Sequence, residues 1–119
     1  MRAALLALIV ATPAVANAQS HYLDIYNTAP SSLVAIAVAP AGSGKFRDIP
    51  LGGNALHGGG DSTTIALQVD DGCLRDLRLS FADGRVLKQS DFNVCRYRSY
   101  HTGRYWRSAQ SDPKFTAQR

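Results

Sequence analysis

Cys73-Leu74-Arg75-Asp76-Leu77-Arg78-Leu79-Ser80-Phe81-Ala82-Asp83-Gly84-Arg85-Val86-Leu87-Lys88 reads as a strand, a tight turn and a returning strand. Cys73, Leu77, Leu79 and Phe81 alternate with Asp76, Arg78 and Ser80, the period of a half-buried strand. Asp83-Gly84 supplies the turn, because glycine takes the positive φ that a short hairpin loop needs. Arg75 falls in the inward series and requires either an edge position or a partner. A simple hairpin, with a bulge near Ser90-Asp91, brings Cys95 back within about two residues of Cys73.

Outward from this hairpin the same grammar repeats. On the N-terminal side, Ser62–Val69 alternates, with Thr63, Ile65, Leu67 and Val69 on one face. Asp70-Asp71-Gly72 turns the chain into the hairpin, and Leu51–Asp61, with its five glycines, is a loop that tucks Ala55 and Leu56 against the core. Lys45–Ile49 is a short edge strand stopped by Pro50. Ser32–Ala39 is an apolar run with Val34, Ile36 and Val38 on one face and Leu33, Ala35 and Ala37 on the other. His21–Tyr26 is a strand that ends at the turn Asn27-Thr28-Ala29-Pro30. On the C-terminal side, Val86–Lys88 and Phe92–Tyr97 complete the set. The expectation is an all-β fold, a small antiparallel β-sandwich or barrel of about six to seven strands with one disulfide. The absence of any Glu and the presence of nine Asp, ten Gly and five Pro agree with it, since these favour turns over helices.

The first residues carry a different signal. Arg2, the apolar run Ala3–Ala11, Pro13 and Ala16-Asn17-Ala18 have the three-part layout of a secretory signal peptide. Cleavage is expected after Ala18, giving residues 1–18 as signal peptide, 19–97 as the β domain and 98–119 as a basic aromatic C-terminal tail. A retained N-terminal anchor is the alternative, but the apolar run is far short of the roughly 20 residues that span a bilayer. Export means a periplasmic or secreted protein, and in such a compartment Cys73 and Cys95 pair as a disulfide worth about 3 kcal/mol. A redox or metal pair would call for CxxC spacing or an adjacent His, and neither is present.

Several of these residues together resemble a group of small exported bacterial proteins with no assigned activity. The matching elements are Asn27-Thr28, Cys73-Leu74-Arg75-Asp76-Leu77-Arg78, Asp83-Gly84-Arg85 and Asp91-Phe92-Asn93-Val94-Cys95. The group's central WGxxxLG is altered, with Phe46-Arg47 in place of Trp-Gly before Leu51-Gly52. The resemblance implies a β fold and a disulfide and no particular chemistry.

Catalytic motifs are not met. Gly42-Ser43-Gly44-Lys45 lacks the first glycine and the final Ser or Thr of a phosphate loop, having Ala39 and Phe46 there. There is no GxSxG elbow. His21, His57 and His101 have no metal-ligand spacing, and Asp61 and Asp70-Asp71 sit at opposite ends of one strand, too far apart to share a calcium ion. No catalytic residue, metal or cofactor is expected. His57 with His101 as the acid–base pair of a small hydrolase or nuclease is the enzymatic alternative.

Charge is unevenly placed. Residues 19–95 hold six basic side chains against eight Asp, whereas residues 96–119 hold Arg96, Arg98, Arg104, Arg107, Lys114 and Arg119 against Asp112. Tyr97, Tyr100, Tyr105 and Trp106 interleave with these arginines. Two readings follow. In one, Arg98, Arg104 and Arg107 contact an anionic polymer or acidic protein while Tyr105 and Trp106 stack on it. In the other, the aromatic rings close the end of a small core. The expected function is a non-enzymatic binding or structural domain. A third possibility is a subunit of an envelope complex joined through a sheet edge.

Overall fold

A computed structural model describes residues 4, 6–11 and 20–111. The cleavage site after Ala18 and residues 112–119 lie outside the described residues. The domain is all-β, with strands β1 (Ser20–Asn27), β2 (Leu33–Pro40), β3 (Arg47–Ile49), β4 (Asp61–Gln68), β5 (Leu74–Phe81), β6 (Arg85–Asn93), β7 (Ser99–His101) and β8 (Gln110–Ser111). Short 3-10 turns occupy Val69–Asp71 and Thr102–Ser108. The strands form a three-stranded sheet in the order β4-β1-β7 and a five-stranded sheet in the order β3-β2-β5-β6-β8. Pairing is antiparallel except between β1 and β7, which run parallel.

The two sheets face each other across one core. Leu23, Ile25, Ile65, Leu67 and Tyr100 from the smaller sheet meet Leu33, Ile36, Val38, Leu77, Leu79, Phe81, Leu87 and Phe92 from the larger. Each of the aliphatic side chains, taken fully out of water, contributes about 1.5–3 kcal/mol before chain entropy is set against it.

Two bulges correct the strict alternation expected from sequence. In β2, Leu33 pairs with Phe81 but Ala35 pairs with Ser80, so Val34 is an extra residue. Leu33 therefore shares the core face with Ile36 and Val38, and Val34 is thrown outward to 46% exposure. In β6, Arg75 pairs with Phe92 and Leu77 with Gln89, so Ser90 and Asp91 both oppose Asp76. Asp91 takes φ 55°, and its N–H donates to the Asp76 carboxylate at 3.1 Å. This bulge, expected near Ser90-Asp91, joins the two segments 86–88 and 92–97 into the single strand β6. The strand stops at Asn93, whose side-chain oxygen accepts the N–H groups of Cys95 and Arg96 and rolls the chain into a turn.

The hairpin has the expected turn. The Gly84 N–H donates to the Phe81 carbonyl and Gly84 sits at φ 87°, a three-residue loop closed by a left-handed glycine. The disulfide joins Cys73 to Cys95 with the Cα atoms 5.2 Å apart. Cys73 is exposed rather than inward, so the bridge clamps the rim of the sandwich and adds nothing to its interior.

Arg75 finds its partner. It is 2% exposed, and its guanidinium donates to the carbonyls of Gln68 and Gly72 and lies 3.7 Å from the Asp71 carboxylate. A buried charge satisfied in this way ties the end of β4 to the start of β5. The opposite end is tied by Asn27 and Thr102, both wholly buried. The Asn27 amide donates to the carbonyls of Ser31 (2.9 Å) and Leu56 (2.7 Å), and its oxygen accepts from the Thr102 hydroxyl (2.9 Å) and the Ala29 N–H (3.2 Å). Thr102 Oγ1 in turn accepts from the N–H groups of Thr28 and Ala29, each at 3.1 Å. Gly58 is required beside this knot, since a Cβ there would meet the Ala29 carbonyl oxygen at 2.2 Å.

Candidate functional site

Residues 99–111, after the disulfide, are folded onto the domain. Ser99–His101 adds β7 to the smaller sheet, Thr102–Ser108 packs against β6 and β1, and Gln110-Ser111 pairs with Val86 and Arg85. Residues 99–111 thus close the side of the sandwich between β7 and β6. The segment set apart from sequence as a tail supplies two of the eight strands among the described residues, which is why the strand count exceeds the expected six to seven.

Aromatic rings make this closure. Tyr100 is 1% exposed and meets Phe92 edge-on at 5.3 Å. Tyr105 stacks on Tyr100 at 4.9 Å, and Phe92 also touches Tyr97. Trp106 packs edge-on against Phe81 at 4.8 Å, with the Arg85 guanidinium 5.1 Å from its ring. Offset and edge-on pairs of this kind contribute about 0.5–1.5 kcal/mol each beyond area. Burial, with Tyr105 alongside, pushes the Tyr100 phenol well above the ordinary tyrosine range.

The arginines face the other way. Arg96, Arg98, Arg104 and Arg107 are exposed. Among the described residues the ion pairs are Arg75–Asp71 and Arg85–Asp83, so Arg98, Arg104 and Arg107 are not ion-paired within that set. Arg98 is placed by its own backbone, since its carbonyl accepts the Asp24 N–H at 2.9 Å and so enters the β1–β7 ladder. Arg104 and Arg107 ride on the 3-10 segment that Tyr105 and Trp106 hold down. Arg85, at the start of β6, joins the same edge. Its sequence position beside the hairpin turn gave no sign of this, because the pairing with Ser111 spans 26 residues of chain. Tyr105 and Trp106 are half-buried, and one face of Tyr105 is already taken by Tyr100.

The histidines are engaged separately. The His57 ring Nδ1 lies 3.5 Å from Ser32 Oγ, while the His57 backbone N–H donates to the Asp61 carboxylate at 3.0 Å. His101 stacks on Tyr26 with ring centroids 4.8 Å apart. His21 Nε2 lies 3.7 Å from Cys95 Sγ. Among the described residues no three His, Cys, Asp or Glu side chains gather as metal ligands. A cleft of about 460 Å³ opens between β3 and the loop after it, lined by Val34, Ile36, Asp48, Ile49, Leu51 and their neighbours. Among the described residues Asp48 is the one ionisable group on its wall. Comparison of the chain with protein-family models, curated proteins and solved structures returned no match.

Proposed function

We propose that the protein is an exported, non-enzymatic β domain that binds an anionic polymer along the edge carrying Arg98, Arg104 and Arg107. The observation that carries this reading is the division of labour in residues 97–107. Tyr100, Tyr105 and Trp106 turn inward and hold the segment in place, and the arginines between them turn outward without ion-pair partners among the described residues. Guanidinium groups fixed on a folded edge lose less entropy on meeting phosphate, sulfate or carboxylate than groups on a free tail. In this reading Tyr105 and Trp106 anchor the site, and any stacking on ligand uses only their outer surfaces. Arg98, Arg104 and Arg107 are all exposed on one short stretch of folded backbone, and several cations close in sequence suit a polymer with repeated charges better than a single small anion.

The disulfide supports residence outside the reducing cytoplasm, in the periplasm or beyond the cell. Among the described residues no helix is long and apolar enough to cross a membrane. Leu6, Leu8, Ile9 and Val10 are exposed and stay out of the core, which agrees with their removal with a signal peptide. The resemblance to small exported bacterial proteins belongs to the same proposal.

The test is retention on a heparin column across a salt gradient. The chain from Gln19 is retained, and Arg98→Gln/Arg104→Gln/Arg107→Gln elutes at clearly lower salt with an unchanged circular dichroism spectrum. Equal retention of the two proteins rejects the site. Truncation at residue 97 is the wrong comparison, because it deletes Tyr100 from the core.

A further inference from the structure

The four sheet edges are not alike. β3 and β7 are three residues long, β8 is two, and β3 carries Arg47 and Asp48 and stops at Pro50. Such short or charged edges discourage pairing with another chain. β4 differs on every count. It is eight residues long, pairs on one side with β1, and from Ser62 to Gln68 contains no charge, no proline and no bulge.

Its open side can be specified. The Asp24 N–H points to β7, where it is given to Arg98. Backbone groups alternate along a strand, so Leu23, Ile25 and Asn27 point to β4, and the Asn27 carbonyl does accept from Gly60 on that side. Their partners in register are Ile65, Thr63 and Asp61. The backbone N–H and C=O groups of Ser62, Thr64, Ala66 and Gln68 consequently face away from β1.

We propose that β4 pairs antiparallel with β4 of a second copy of this chain, about a two-fold axis at Ile65. This interface is independent of the arginine edge, which lies on the far side of β1. In that register Thr64 meets Ala66 and Ser62 meets Gln68, each twice by symmetry. These are the residues whose backbone groups face the open side, where the Gln68 carbonyl, already accepting from the Arg75 guanidinium, offers its second lone pair. Ile65 meets itself and Thr63 meets Leu67 on the core side. On the outer face the opposed side chains are small or polar, no like charges face each other, and Asp61 falls outside the ladder. A register centred on Thr64 pairs fewer of the open-side groups, because Gln68 then runs past the partner's strand. A self-complementary strand is the requirement of a two-fold interface, and it makes a second copy the fitting occupant. The product is a continuous six-stranded sheet in the order β7-β1-β4-β4-β1-β7.

Light scattering on the chain from Gln19 tests this with two variants. Ala66→Pro removes an N–H that has no partner among the described residues, so the fold is retained and the ladder is blocked. Ala66→Lys places a charge on the outer face of the edge and covers the case in which proline disturbs folding. The expected result is twice the single-chain mass for the parent, with the midpoint of association raised at least tenfold in each folded variant. A single-chain mass for the parent up to roughly 1 mM, the weak end of specific association, overturns the proposal. That result also covers occupancy of the edge by another segment or protein. A folded Ala66→Lys protein that associates like the parent overturns it too.

Discussion

Asn27 and Thr102 show how two short polar side chains hold the sandwich together. Seventy-five residues apart, they share a hydrogen bond with no exposure to water, and between them they satisfy the backbone of the Thr28–Ser31 turn and of Leu56. A buried polar atom deprived of its partner costs about 1–3 kcal/mol. Thr102→Val keeps the shape and removes the hydroxyl, leaving the Thr28 N–H with only the Tyr26 carbonyl at 3.2 Å, the Ala29 N–H with only the Asn27 oxygen at 3.2 Å, and that oxygen without its hydroxyl donor. It should lower stability by about 2 kcal/mol, read from the urea midpoint at unchanged slope. A cost under about 0.5 kcal/mol would mean that water enters and replaces the hydroxyl. The Asn-Thr pair at 27–28 was visible in the sequence as a turn signal and as one element of the family resemblance, neither of which tells its task. Its task depends on Thr102, and nothing local in either segment announces a contact over that distance.

At the scale of elements, the strands with clean alternation were legible, and those that break it were not. β4 and β5 were placed within a residue, because Ile65, Leu67, Leu77, Leu79 and Phe81 alternate and Asp83-Gly84 ends the run. The face assignment in β2 failed at Val34, since small apolar residues on both sides of the strand hide a one-residue slip. β7 and β8 were missed because three residues and two residues are too short for any periodicity to register. The candidate site divided in the same way. Arg98, Arg104 and Arg107 could be named from charge alone, whereas the orientation of Tyr105 and Trp106 toward Tyr100 and Phe81 is a tertiary fact. The bulge in β6 gives a prediction at this scale. Asp91 holds φ 55°, which a β-branched residue occupies only at a cost of about 1–2 kcal/mol. Asp91→Val should therefore destabilise by about that amount, and Asp91→Gly should stay within about 1 kcal/mol of the parent in thermal unfolding. Equal effects of the two would show that the lost Asp91 side chain, and not the backbone, is what matters.

For the whole molecule, the buried Tyr100 couples stability to alkaline pH. The unfolded chain releases that proton near pH 10, the folded chain at higher pH. Below pH 10 both states hold the proton and the stabilisation is complete. As pH rises past 10 the unfolded state ionises first, so stability falls by about 1.4 kcal/mol per pH unit until the folded group titrates as well. Tyr100→Phe should remove this share of the alkaline decline. It should cost less than about 1 kcal/mol at pH 7, because the hydroxyl reaches Gln89 Oε1 only at 3.5 Å. An unchanged alkaline slope in Tyr100→Phe would place the titrating group elsewhere.

The parallel pairing of β1 with β7 also governs when the molecule can exist. β1 is the first strand of the domain to be synthesised and lies in the middle of its sheet, yet Ile25 waits for Thr63 on one side and Tyr100 on the other. A ribosome that has not yet released the last twenty residues holds a chain whose central strand has an unfilled flank. Closing contacts that far apart in sequence is slow. The order of strands thus postpones closure of the smaller sheet until residues 99–101 have been made, and the earliest strand of the domain is among the last to be fully paired.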